Sequence, residues 1–475
     1  MLNLRDGCLN LDVLSGSFKI PVNGYHYLWN KTMKKIIFVM FIGLMLFLFG
    51  CNDTAVQKGQ AVKFRRIPVS DYVDKMKAGW VGQMAGVSWG YPTEFKCRGK
   101  IMPPGLVPEW KPKMVNNAFR QDDLYVEMTF LRTLEMHGLN SSIRQAGIDF
   151  ANSGYRLWWE NKGCRKNLRL GIAPPSCSHP KFNKNADGIG YQIQSDFSGL
   201  ISPGLPVRVI GVGEVFGRVT NYGDGLYAGQ FMGGMYAEAF FETNIVKIVK
   251  AGLKCIPEGS QYHECISDVL KWYEQNPANW QSTWSKIENK YQLNPQYNRC
   301  KSLISRGYNI HAKLNGAYVV MGLLYGKGNP DQTIIISMRC GQDSDCNPSN
   351  AAGVLFTTMG YKKLPERFVS ALNPNAKFSH TPYTFPRLIE VCEMLARKIV
   401  VAEGGRIEKD ENGADVFVIP VQFPKPGKLE QSWEPGPDTN SKFTEAEMAR
   451  IKVAPSPNKF QGKLNVPVGV LKKPL

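Results

Sequence analysis

Arg339-Cys340-Gly341-Gln342-Asp343-Ser344-Asp345-Cys346-Asn347-Pro348 is the stretch on which the fold turns. Two carboxylates stand two residues apart in a glycine-broken turn. Behind them, Ser349-Asn350-Ala351-Ala352-Gly353-Val354-Leu355 reads as a tightly packed helix. Asn347 is placed to cap that helix, and Pro348 suits its first position. Two like charges held at a helix start are costly unless water or a cation relieves them. The helix dipole offsets only about 0.3–1 kcal/mol per charge, and a hard divalent cation offsets far more. An isolated Asp-x-Asp is ordinarily a solvated turn. A second acidic pair, Asp122-Asp123, heads another predicted helix and shifts the balance toward a cation site.

Small-residue helices surround these acids. A predicted helix begins at Ser70-Asp71 and runs through Tyr72, Met76, Trp80 and Met84, with Gly79, Gly82, Gly86 and Gly90 three or four apart. Each helical glycine costs about 1 kcal/mol, so that face has a packing or site reason: another backbone can lie against it. The helix delivers Glu94, a candidate general base. Leu226–Phe241 and residues 311–325 are two more helices with glycines inside, and lone His311 is structural. In the helix after Asp122-Asp123 the stripe Leu124, Met128, Leu131 and Leu134 faces inward, while Glu127, Arg132 and Glu135 fall away from it.

Residues 52–68 look like a linker. A helix is expected over 141–160, ending on Trp158-Trp159, which could stack on sugar faces or fill a core. Residues 161–207 are rich in Gly, Pro, Ser and Asn, and a loop of that length is usually functional or disordered. Its aromatics and Asp187, Tyr191 and Asp196 favour function. Thr333-Ile334-Ile335-Ile336 has strand propensity, but helical surroundings override it. A helix follows over Arg387–Ala402. Gly404–Phe423 alternates around Asp410-Glu411-Asn412-Gly413, a hairpin signal. The Pro- and Lys-rich tail from Lys425 is an extended wrap or partly disordered.

The chain has 475 residues, a formal net charge of +18 and a pI near 9.3. Its basic residues are scattered and no zinc-knuckle or RNP-type motif appears, so no nucleic-acid partner is expected. Met33-Lys34-Lys35, an apolar run over Ile36–Phe49, and Gly50-Cys51 form a basic n-region, an h-region and a small residue before cysteine. The run is short for a spanning helix. Leu48-Phe49-Gly50-Cys51 resembles a bacterial lipoprotein box. Met33 is then the true start, residues 1–32 an over-extended gene start, 33–50 a signal peptide and Cys51 the lipidated residue of an exported protein anchored at the periplasm or outer membrane. Cys164/Cys177 and Cys255/Cys265 could pair there or remain buried thiols.

Three motifs, in order, resemble those of the ADP-ribosylglycohydrolase family. Gly82-Gln83-Met84-Ala85-Gly86-Val87-Ser88-Trp89-Gly90-Tyr91-Pro92-Thr93-Glu94 matches Gly-x-x-x-Gly-Asp-x-x-Gly-x-x-x-Glu, with Val87 in place of Asp. Gln121-Asp122-Asp123-Leu124 keeps the acids of Thr-Asp-Asp-Thr and neither threonine. Cys340-Gly341-Gln342-Asp343-Ser344-Asp345-Cys346-Asn347 is similar to Gly-Gly-Asp-x-Asp-Thr-Asn and is followed by small residues. The resemblance covers roughly residues 70–402. It implies an all-α orthogonal multi-helix bundle, here with a small C-terminal β-hairpin extension over 403–475. It also implies one or two Mg2+ (or Mn2+) ions held by Asp122, Asp123, Asp343 and Asp345, with Glu94 acting on the water that cleaves an N- or O-glycosidic bond.

The departures bear on this. Gln121 and Cys346 replace ligand threonines, and a thiol is poorly matched to magnesium. The phosphate-binding loop of ADP-ribose cleavers is not recognisable. Asp196 and Asp224 are assigned instead to a neutral sugar, accepting hydrogen bonds from its hydroxyls. The expected substrate is therefore an ADP-ribosyl group or another glycoside, nucleoside or glycan. The competing expectation is a non-catalytic sugar-binding lipoprotein on a degenerate scaffold.

Overall fold

The glycine spacing of residues 79–90 creates the central contact of the protein. In the computed structural model seven helices frame it: α1 (Val69–Gly90), α2 (Asp122–His137), α3 (Asp224–Ala239), α4 (Ala312–Tyr325), α5 (Pro330–Arg339), α6 (Cys346–Met359) and α7 (Phe385–Ala402). The face of α1 carrying Gly82, Gly86 and Gly90 receives the backbone of α6 and of the turn before it. A Cβ at Gly82 would lie 2.7 Å from the Cα of Gly353. One at Gly86 would strike the carbonyl of Pro348, and one at Gly90 that of Ser344. Side chains are excluded so that two helix backbones meet. α4 is buried along its whole length, as its all-round apolar sequence requires.

The structure describes residues 2–5, 8–13, 16–21, 63–305 and 307–452, which divide into two units, 1–62 and 63–475. In the first, β1 (Leu2–Arg5), β2 (Cys8–Val13) and β3 (Gly16–Pro21) form an antiparallel sheet in that order. The expected signal peptide, the lipidation site Cys51 and the tail beyond 452 lie outside the described residues. No helix among the described residues is long and apolar enough to cross a membrane.

The second unit is helical apart from two small sheets. β5 (Ile304–Ser305) pairs with β6 (Tyr308–Asn309). The expected hairpin is present as β7 (Arg406–Lys409) and β8 (Asp415–Pro420), but it gains a third strand. β4 (Phe64–Pro68) pairs antiparallel with β8 from Phe64↔Pro420 to Pro68↔Val416, so part of the expected linker is a strand. Arg65-Arg66 gives the segment no clean polar–apolar alternation, and its partner strand is far away in sequence. The sheet lies over the start of α1, with the Tyr72 ring 5.2 Å from that of Phe417.

Other expectations change for local reasons. The helix expected over 141–160 is two helices, 143–151 and 159–169. Asn152-Ser153-Gly154 interrupts it, with Ser153 Oγ donating back to the Phe150 carbonyl. Trp158-Trp159 therefore opens the second helix. Residues 333–336 are helical within α5, where Asn329 accepts from Gln332 N at the cap and Pro330 takes the first position. Asp345, rather than Asn347, caps α6 by accepting from Cys346 N at 3.0 Å. Asn347 instead donates to Asn315 on α4. Glu127 is buried, and it accepts from Phe197 N at 2.9 Å. The nine described cysteines are thiols, and Cys164 donates to the carbonyl of Cys177 instead of bonding its sulfur.

Over the described residues to 452, the C-terminal segment wraps the helical body. Ser432 donates to Asp187, Glu430 pairs with Arg218 at 2.9 Å, and Glu447 pairs with Arg144. Phe443 is buried against the helical core.

Candidate metal centre and active site

The seating of α6 on α1 brings the third motif beside the first. Gly341, at φ +86°, turns the chain after α5. Gln342 follows at φ +56°, a conformation that costs a non-glycine residue about 1–3 kcal/mol. Backbone bonds then join Phe95 N to Gln342 O (3.0 Å) and Gln342 N to Cys97 O (2.9 Å). Thr93 Oγ1 and Ser344 Oγ are 2.9 Å apart. Glu94 is thus clamped on both sides to the Asp343-Ser344-Asp345 turn.

The four aspartates converge from two helix starts. Asp122 and Asp123 occupy the first turn of α2, where the dipole favours anions. Asp343 and Asp345 precede α6. Donor atoms of Asp122, Asp123 and Cys346 lie within 4.8 Å of one another, as do those of Asp343, Asp345 and Cys346. Asp123 is 1% exposed, yet neither of its carboxylate oxygens has a hydrogen-bond partner. Asp343 is 3% exposed and its Oδ1 is also unpartnered. Buried polar atoms are almost always satisfied, so these oxygens are free for a ligand.

The electrostatics agree. Burial, then the charges of Asp122 and Asp345, push Asp123 far above the carboxylate range. Burial pushes Asp343 up to about 8. Crowding by protein and then Asp345 and Asp122 raise Glu94, although its side chain opens to solvent, which screens part of that push. Such a set is held together only by protons or by cations, and oxygen donors fit a hard divalent ion.

Asp196 and Asp224 do not belong to the donor groups of this cluster. Asp196 accepts from Tyr236 at 2.8 Å and from Asn350 at 2.9 Å, fully buried between α3 and α6. Asp224 lies 3.6 Å from the buried ammonium of Lys313 and accepts from Tyr262 N. Asp196 is thus occupied by protein donors, while Asp224 Oδ2 faces the Lys313 ammonium with no hydrogen-bond partner of its own.

Other residues bear on the site without having been marked by their spacing. The Gln342 amide donates to Gly307 O at 2.8 Å and accepts from Asn309 N at 2.9 Å, gripping the turn between β5 and β6. That turn presents Tyr308, whose ring lies 4.6 Å from Phe95 and 5.3 Å from Trp159. Trp159 is 40% exposed and holds φ +36°, a strained value for an aromatic residue. A row of three rings therefore leads from solvent to the neighbour of Glu94. Glu160 is buried behind it, accepts from Gly190 N, and is raised to about 8 by burial. Thr93 and Ser344 sat inside the motifs, but Tyr308 and Glu160 carried no local signal because long-range packing assembles them.

The helical fold carries, between two helix starts, an acid cluster that could hold a metal ion. The ADP-ribosylglycohydrolase family model matches residues 68–404, and the chain belongs to that family. Membership supports a glycohydrolase-type activity. A solved structure described as an ADP-ribosylglycohydrolase-related protein complex is similar at 12% identity, with a TM-score of 0.43, covering 70% of this chain and 99% of that one. No curated protein matches.

Proposed function

We propose that this protein is a divalent-metal-dependent glycoside hydrolase. Its substrate would be a small molecule or glycan bearing an N- or O-glycosidic bond, ADP-ribosyl or another glycoside or nucleoside. The observation that carries this reading is the pair of buried, unpartnered carboxylates, Asp123 and Asp343, converging beside a solvent-open Glu94. Asp122, Asp123, Asp343 and Asp345 would hold one or two ions, and these oxygens alone suit Mg2+ or Mn2+. A bound ion would supply charge withdrawal and sugar-hydroxyl binding as the oxocarbenium-like state forms.

The residues of this chain do the rest. The Thr93–Ser344 contact and the Phe95–Gln342 bond fix Glu94 over the cluster. Burial contributes most to the hold on the Glu94 proton, and neutralising the aspartates would remove the smaller repulsion from Asp345 and Asp122, bringing the group closer to a carboxylate able to take a proton from water. The row Trp159–Tyr308–Phe95 offers aromatic faces to the apolar side of a sugar or to a base. Because Asp196 and Asp224 are committed to protein partners, the proposal gives them no sugar contact. Anchoring of the exported chain through Cys51 belongs to the same proposal.

Glu94→Gln should lower turnover of glycosides and ADP-ribosyl conjugates by about 10²–10⁴-fold with an unchanged melting transition. Unchanged turnover would remove Glu94 from the mechanism. A second reading, a sugar-binding protein on this scaffold, is favoured by Gln121 and Cys346 at the threonine positions. It would give ligand affinity with no turnover in the unsubstituted protein.

A further inference from the structure

The two donor groups at the acid cluster share one member, Cys346. Its sulfur lies within 4.8 Å of carboxylate oxygens of Asp122 and Asp123, and equally of Asp343 and Asp345. The residue is 5% exposed at the first position of α6. Its surroundings differ from those of the other buried thiols. Cys164, Cys177, Cys255 and Cys265 donate to backbone carbonyls at 3.2–3.6 Å, as structural thiols do. Cys346 instead stands among four carboxylates, two of which, Asp123 and Asp343, carry buried oxygens with no hydrogen-bond partner. An apolar-core role does not account for a thiol in that company.

We propose that Cys346 is a shared metal ligand, and that its thiolate turns this centre from a magnesium site into one preferring a thiophilic divalent ion of the Zn2+ class. The inference rests on the metal-centre reading above and deepens it. Four hard oxygen donors alone favour Mg2+, which binds sulfur poorly. One thiolate in common to both donor groups suits an ion of borderline softness. Binding forms a sulfur–metal bond as the thiol proton leaves to solvent, so no oxidant or reductant takes part. The same position explains why a hydroxyl-bearing residue can be replaced by cysteine without abandoning the four aspartates: the donor changes in kind, while the site persists.

The experiment is metal titration of the full chain, first stripped with chelator, followed by melting temperature and absorption. Zn2+ should raise the melting temperature at concentrations where Mg2+ does not. Co2+, as a spectroscopic stand-in, should give a near-ultraviolet thiolate-to-cobalt charge-transfer band. Cys346→Ser should lose that band and lower Zn2+ affinity on the order of 10–100-fold or more, the scale that even outer partners of a metal ligand reach. Cys346→Thr, checked for the parental melt in chelator, is the second variant and should bind Mg2+ at least as well as the parent. Stabilisation by Co2+ with no thiolate band, or an ion preference unchanged in both variants, would overturn the proposal and leave the metal centre standing. No stabilisation by any ion would overturn both. The Glu94 reading is tested separately by turnover.

Discussion

At the scale of single residues, Gln342 joins stability to the site. It holds φ +56°, where the family motif carries glycine, and its amide makes two bonds to the turn carrying Tyr308. The strain is offset by those bonds, each worth about 0.5–1.5 kcal/mol. Gln342→Ala keeps the strain and loses both bonds, so it should unfold at a lower denaturant concentration than the parent. Gln342→Gly loses the bonds but relieves the backbone, and should lie between the two. If the alanine variant matched the glycine variant, the left-handed conformation would not be a cost here. The same residue shows what sequence leaves unread. Its neighbours Asp343 and Asp345 were legible because acids at a helix start carry a charge argument on their own. The role of Gln342 depends on a turn 35 residues away.

At the scale of elements, the contact of α1 with α6 sets the site. The glycines predicted it because a helix face without side chains has to meet a backbone. Gly86→Ala would drive a Cβ into the Pro348 carbonyl, a group that cannot rotate away. It should destabilise the protein by about 1–3 kcal/mol or more and weaken metal binding, because α6 carries Asp345 and Cys346 at its start. Gly105→Ala, with nothing within 4 Å of its Cβ, is the control and should leave the melt unchanged. Equal melts for the two variants would show that α6 yields to the added methyl. The helical elements were largely legible from apolar period and small residues. Those that were not, the break after Ala151 and the strand β4, depend on a local Ser-Gly turn and on a partner at the far end of the chain.

At the scale of the whole molecule, the interior holds many acids inside a strongly basic chain. Burial pushes Glu160 and Asp343 up to about 8, and Asp187 and Asp196 up to about 7. Each is protonated in the folded protein where the unfolded chain is ionised. Between the ordinary carboxylate range and about pH 8 the unfolded state therefore binds fewer protons, and stability falls as pH rises. The metal-free protein should melt at a lower temperature at pH 8 than at pH 5, and a divalent ion should narrow the gap. A flat profile in chelator would mean that these acids are already ionised in the fold. This balance was not legible from net charge, which counts acids without saying which are buried.

The β4–β8 pairing has a consequence for how the chain is made. β4 emerges from the ribosome with the glycine face of α1 close behind it, but its partner strand is about 350 residues further on, roughly 20–70 s at ordinary elongation rates. For most of that interval β4 is an unpaired edge beside a helix whose partner, α6, is also unsynthesised. Such an open edge is a template for pairing between newborn chains until β8 arrives, and truncation before residue 415 leaves β4 permanently without its neighbour.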